Sequence, residues 1–357
     1  MIKKIQPLQP SLFGIKNSNR DYTNPETWGK NMFNSSFPAA LVAYMYSKKV
    51  NCIYIKTDIT NQIEHSKIST EDLFGISPLD KDTFYAFESV YTPFQQFYKG
   101  RIPRVDLVIQ NKKTGLCTKG LEIKLTALPD NSTCDLKDNE FSCELVIRPD
   151  TISYLACSIA QHYMKSKTRI AKLMSDFAKI KHWDDEREII KNYDLFVNFI
   201  DEFAKLHYNK QSALVLQPIW KTEGKTPRLA ENCLDTFVWS DLALIHLFTD
   251  YSREKPSRIG RTERTLVWLV RMLYEFVQTN QFNAEEIIDK LSFNTKNDKA
   301  FSANGKITYP LLKCRELTKP RIKKNEIKNI ILGGGQNLLS PERRFDAIIY
   351  NSPELFD

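Results

Sequence analysis

Two carboxylates and a lysine stand at a spacing that can do chemistry: Asp106, then Glu122, Ile123 and Lys124. Side chains alternate along an extended strand, so Glu122 and Lys124 share one face while Ile123 points into the core. If the strand through Asp106 pairs with the strand through Glu122, the two acids meet. Such an oxygen-rich pocket suits Mg²⁺, which prefers hard oxygen ligands, takes few of them from protein, and fills the rest with water and phosphate. The backbone carbonyl of Ile123 is a further candidate ligand. The reaction that fits is phosphodiester hydrolysis, with the ion polarising the phosphate and Lys124 orienting or activating the attacking water. The pattern alone is loose, because Glu and Lys also stand two apart on many solvated strand faces.

These residues need a hairpin, and the flanking sequence supplies one. Residues 104–110 (RVDLVIQ) and 119–126 (KGLEIKLT) have the apolar, β-branched character of strands. Between them 111–115 (NKKTG) reads as a turn with Gly115 at positive φ. Residues 51–56, 84–91, 143–147 and 212–220 are further expected strands, the last at an edge or strand end because of Pro218. Residues 57–82 read as a polar connection. Pro38 is expected to open a helix. Asp150 or Thr151 is expected to cap another, through Ile152, Leu155, Ala156, Ile159 and Tyr163. Helical spacing recurs at 167–178, 186–206, 236–249 and 262–279, and short strands are expected at 329–332 and 345–350. Together these elements predict an α/β fold with a central mixed β-sheet flanked by helices and enlarged by helical insertions.

The 357 residues carry a formal charge of +8, with a pI of about 8.9. The surplus suits a polyanionic partner without establishing one. No apolar run reaches membrane-spanning length, and residues 1–10 lack the charged-then-apolar order of a secretory signal. A cytoplasmic protein without membrane contact is expected. The seven cysteines include no C-x2-C pair and read as reduced thiols. The five histidines form no H-x-x-x-H signature, and Gly333 to Gly335 lack the strand-to-helix setting of a nucleotide loop.

Pro103-Arg104-Val105-Asp106 with Glu122-Ile123-Lys124 resembles the PD-(D/E)-x-K nuclease superfamily, which includes most type II restriction endonucleases. Here the proline stands three residues before the aspartate instead of directly before it. Pro149-Asp150 has the literal dipeptide, but no E-x-K strand follows it. The opening PSLFGIKNSNRDYTNPETWGKNMFNSSFP resembles the start of the HindVP-like restriction endonucleases, and the likeness spans most of the chain. This resemblance implies a restriction-endonuclease-like core, Mg²⁺ as cofactor, and double-stranded DNA cut at the palindrome GRCGYC to leave 5′-phosphate ends. A palindromic target implies a homodimer, and a cognate DNA methyltransferase is the expected genetic partner. One domain over 1–357 is expected, with the catalytic core about 38–220 and the part about 221–357 adding DNA contacts. Two alternatives stay open: a structure-specific repair nuclease or junction resolvase on the same core, and a DNA-binding protein without activity.

The superfamily resemblance also implies an extra upstream acid that helps bind metal, for which Glu88 is the candidate, a surface glutamate being the alternative. Gln161 could touch a phosphate or the metal-bound water, or be a polar helix position. Arg253, Lys255, Arg258, Arg261 and Arg264 precede a helix, where basic loops bind phosphate and arginine reads guanine. A solvated basic loop explains them equally well. Lys319, Arg321, Lys323 and Lys324 form a second cluster, and Arg343 and Arg344 a third.

Overall fold

The turn chemistry places the central hairpin where the sequence puts it. In the computed structural model, which describes residues 13–15, 17–21, 30–128, 143–222, 229–304, 312, 317 and 319–327, Gly115 takes φ +68°. The Asn111 side chain accepts the N–H groups of Lys113 and Thr114 at 3.0 Å each. The strands are β1 (Cys52–Thr57), β2 (Ile63–Ile68), β3 (Thr83–Ser89), β4 (Val105–Asn111), β5 (Cys117–Ile123), β6 (Thr126–Leu128), β7 (Glu144–Ile147), β8 (Ala213–Thr222), β9 (Leu229–Ser240), β10 (Phe301–Asn304) and β11 (Ile322–Lys323). The main sheet runs β2-β1-β9-β8-β5-β4-β3, with β11 added to β9 and β6 to β8, while β7 and β10 form a separate ribbon. The main sheet is mixed: β1 with β9 and β5 with β8 are parallel, and the other neighbours along this order are antiparallel.

The helices are α1 (Lys30–Ser47), α2 (Thr70–Phe74), α3 (Pro149–Tyr163), α4 (Lys167–Leu173), α5 (Glu186–Lys191), α6 (Tyr193–His207), α7 (Asp241–Thr249), α8 (Arg261–Thr279) and α9 (Ala284–Lys290). Alternation along β4 sorts them onto two faces. Val108 joins Leu155, Phe196, Leu244 and Trp268 from α3, α6, α7 and α8. Leu107 and Ile109 join Phe37, Leu41 and Phe74 from α1 and α2 on the other side. Fold class and mixed sheet are therefore as expected. Among the described residues no helix is long and apolar enough to cross a membrane. Among the described residues Cys52, Cys117, Cys157 and Cys233 are free thiols.

Several expectations change. Residues 57–82 hold β2 and α2, which a polar composition hid because β2 is a sheet edge. Helix α1 begins at Lys30 and carries Pro38 inside it rather than at its start. Residues 236–240 end strand β9, and the helix begins only at Asp241, capped by the Ser240 hydroxyl. Strand β8 is central, not an edge. The sheet also does not stop at 220, since β9 lies in its middle. Asp150 is not the cap of α3: Arg148 is the capping residue, Pro149 opens the helix, and Asp150 sits in the first turn. The strands expected at 329–332 and 345–350 lie outside the described residues.

Candidate active site

Strand register assembles the acids. Leu107 opposes Leu121 in the antiparallel β4–β5 pair, which sets Asp106 opposite Glu122. Phe87 opposes Leu107 in β3–β4, which sets Glu88 opposite Asp106. Three neighbouring strands thus present Glu88, Asp106 and Glu122 in one row, and all three line a cleft of about 620 Å³. The Ile123 N–H donates to Asp106 Oδ2 at 2.7 Å. In extended backbone the carbonyl of a residue leans to the same side as its N–H, so the Ile123 carbonyl leans toward Asp106 as well. Lys124 Nζ donates to Glu122 Oε1 at 2.6 Å, with both side chains 17% exposed.

The backbone around Lys124 owes its shape to Pro218. Ile123 pairs with Leu216, and the Lys124 N–H donates to the Leu216 carbonyl at 2.9 Å. In the same parallel register the next donor on β8 would be residue 218, but proline has no N–H. The ladder lapses there and resumes as β6, with Thr126 opposite Ile219. Lys124 therefore stands at a gap between two strand segments, with its side chain in the cleft. Glu88 is also unusual, because its φ of +48° is left-handed, a conformation uncommon among non-glycine residues. Two residues before Glu122, Gly120 lies against Tyr91, and a Cβ at 120 would stand 2.9 Å from the Tyr91 ring.

The carboxylates are short of positive charge. Burial, then the negative charge of Glu122, pushes the Asp106 carboxyl up to about 7, against the Ile123 N–H and Lys124. Burial also raises Glu88, with Glu122 adding and Arg20 opposing. Asp150 is raised by burial and by Glu122. Carboxylates crowded together in this way fit a divalent cation, whose charge would favour their ionised forms. The donors are hard oxygens, as Mg²⁺ requires. A buried Asn34 side-chain oxygen lining the same cleft has no hydrogen-bond partner.

A second group of possible ligands is His162, His207 and Asp241, whose polar atoms lie within 4.8 Å of one another. These atoms already serve each other. Asp241 accepts from Ser158 at 2.9 Å and lies 3.2 Å from His207 Nε2, and His162 meets Ser212 at 2.8 Å. None of the three lines the cleft of the acid row.

The basic candidates separate. Arg264 is fully buried and donates to the carbonyls of Thr295, Lys296 and Lys299, so the expectation that it contacts DNA gives way to a structural role. Arg321 is likewise structural, holding buried Asp235 through both carboxylate oxygens at 2.6 and 3.0 Å. Arg253 pairs with Asp201. Arg258 and Arg261 are exposed, and Arg261 lies 3.4 Å from Asp298. Arg343 and Arg344 lie outside the described residues. The sequence did not single out Asn34, Ser35, Thr126, Glu144, Arg148 or Lys299, which also line the cleft.

A mixed sheet flanked by helices, with acids on adjacent antiparallel strands and a lysine two residues on, is a restriction-endonuclease-like core. The profile of the HindVP restriction endonuclease family matches residues 28–356. The type II restriction enzyme HgiDI of Herpetosiphon aurantiacus is 46% identical over 352 residues, covering 98% of each chain. The probable type II restriction enzyme HindVP of Haemophilus influenzae is 43% identical over 358 residues, covering 99% of this chain and 97% of its own. No solved structure matches. The chain belongs to the HindVP restriction endonuclease family.

Proposed function

We propose that this chain is a Mg²⁺-dependent type II restriction endonuclease that cuts double-stranded DNA at GRCGYC and leaves 5′-phosphate ends. The observation that carries the reading is the placement of Asp106 opposite Glu122 across β4–β5, with Lys124 held on Glu122 at 2.6 Å. Asp106, Glu122 and the Ile123 carbonyl would hold the ion, with Glu88 alongside. Mg²⁺ bound there supplies Lewis-acid stabilisation of charge on the scissile phosphate. Lys124 orients the attacking water and neutralises the charge that builds on the phosphorus oxygens. The Ile123 N–H donates to one oxygen of the Asp106 carboxylate, which holds the group in place beside the cleft. Hydrolysis breaks the bond between phosphorus and the 3′ oxygen.

Family membership supports the target sequence, and a palindrome calls for a homodimer. A cognate DNA methyltransferase would protect the host genome, and the two would act in the cytoplasm as a genetic pair. Arg258 and Arg261 are exposed candidates for DNA contact, as are Arg343 and Arg344 by charge. The test is a plasmid digest with Mg²⁺ followed by sequencing of the ends. Discrete fragments ending within GRCGYC are expected, and a Glu122→Ala protein that cuts as well as the unaltered chain would overturn the assignment.

A further inference from the structure

One wall of the cleft belongs to a part of the molecule that shares no strand with the acids. Arg148 directly follows β7, and Lys299 stands two residues before β10. The antiparallel ribbon pairs Ile147 with Phe301, and Ala300 donates its N–H to the Ile147 carbonyl at 2.9 Å. This register brings Arg148 and Lys299 to the same end of the ribbon. Both line the cleft that holds Asp106, Glu122 and Lys124. Among the described residues neither forms an ion pair, and Arg148 spends one N–H on the Asp298 carbonyl at 2.7 Å.

The segment that carries Lys299 has no regular secondary structure, yet it is tightly tied. The Arg264 guanidinium donates to the carbonyls of Thr295 at 3.0 Å, Lys296 at 3.1 Å and Lys299 at 2.7 Å, and to the Asn297 side chain at 2.9 Å. It also bonds the Thr295 hydroxyl and stacks 4.3 Å over Trp268. Thr265 holds the Ala300 carbonyl at 2.9 Å. A buried cation that serves several carbonyls of one short loop fixes that loop's path. What the loop presents to the cleft is the charge of Lys299.

We infer that Arg148 and Lys299 form a phosphate-holding pair that grips the DNA backbone beside the scissile bond, with Arg264 as the residue that positions them. The inference rests on the cleft being the nuclease site proposed above. A wall rich in carboxylates repels a polyanion, so an entering strand needs cations on the facing wall. Arginine suits a phosphate through its fork of donors, and lysine as a point charge.

The test is equilibrium binding of a duplex containing GRCGYC, with Mg²⁺ replaced by Ca²⁺, across a series of salt concentrations. Lys299→Ala should weaken binding about tenfold and lower the slope of log affinity against log salt by about one. The double variant with Arg148→Ala should lower it by about two. Lys299→Arg should restore the slope. Arg264→Lys should reproduce the weakened binding and lowered slope of Lys299→Ala, which a role confined to fold stability would not do. The loss should be equal on a duplex lacking GRCGYC, as expected of a backbone contact. If the alanine variants do not fold, Lys299→Gln and Lys299→Arg give the same comparison of charge. A folded Lys299→Ala or Lys299→Gln protein with an unchanged salt slope overturns the inference. If Asp106→Ala still cuts DNA, the reading of the cleft fails instead, whatever Lys299 does.

Discussion

Asp106 and Asp241 are both withdrawn from solvent, yet their environments push them in opposite directions. Burial and the charge of Glu122 raise Asp106 to about 7. Burial would raise Asp241 too, but the charge and hydrogen bond of His207, with His162 and Ser158, hold its carboxyl below the usual range. Asp241 also accepts the N–H groups of Ser212 at 3.1 Å and Leu242 at 2.8 Å. One carboxylate has its partners built in, and the other is left among like charges beside an open cleft. The difference separates a group that holds the fold together from one kept ready for a ligand that arrives from outside.

The sharpest way to break this comparison is catalytic. Asp106→Ala or Glu122→Ala should reduce Mg²⁺-dependent plasmid cleavage at least about a thousandfold, whereas Asp241→Ala should act through stability. Removing Asp241 strands His207 and two backbone donors in the interior, at a cost of about 3–5 kcal/mol, visible as a large drop in the urea midpoint. Asp106→Asn should do the reverse. An acid raised in the folded state opposes folding once pH exceeds its unfolded value, so the neutral amide should stabilise the metal-free protein at pH 8 by about 1–3 kcal/mol. Equal melting temperatures for Asp106→Asn and the unaltered chain would erase the contrast.

The smallest effect concerns His162, whose pKa is lowered by burial, with His207, Lys210 and Lys119 adding and Asp241 opposing. A histidine depressed in the fold contributes stability that is present above its unfolded value and is lost as pH falls through about 6.5. Between pH 7.5 and 5.5 this group should therefore lower stability, weakly because it is partly exposed. His162→Gln should flatten the pH dependence of the urea midpoint over that range.

Asp106, Glu122 and Lys124 were legible because a single local hairpin assembles them, and its turn residues state their geometry. Glu88 was harder. Its place depends on the pairing of β3 with β4, and no residue type at 88 announces a φ of +48°. Arg148 and Lys299 left no signal, because their meeting depends on a ribbon between segments about 150 residues apart in sequence. Residues 236–240 (TFVWS) fit either period, because their three apolar residues are consecutive. Arg264 shows what a count of basic residues misses, because burial turned a cation expected on the surface into the tie of a loop. Pro218 signalled a broken ladder correctly but not which one. Its missing N–H falls at the gap beside Lys124, inside the sheet.

Gly120 limits how this sequence can drift. Any side chain there meets the Tyr91 ring, which is itself wedged against Phe94 with ring centres 4.7 Å apart. A lineage could replace Gly120 only after position 91 had already shrunk, so the two changes have a permitted order. In a randomised library of both positions, active clones with a larger residue at 120 should be recovered only together with a smaller one at 91.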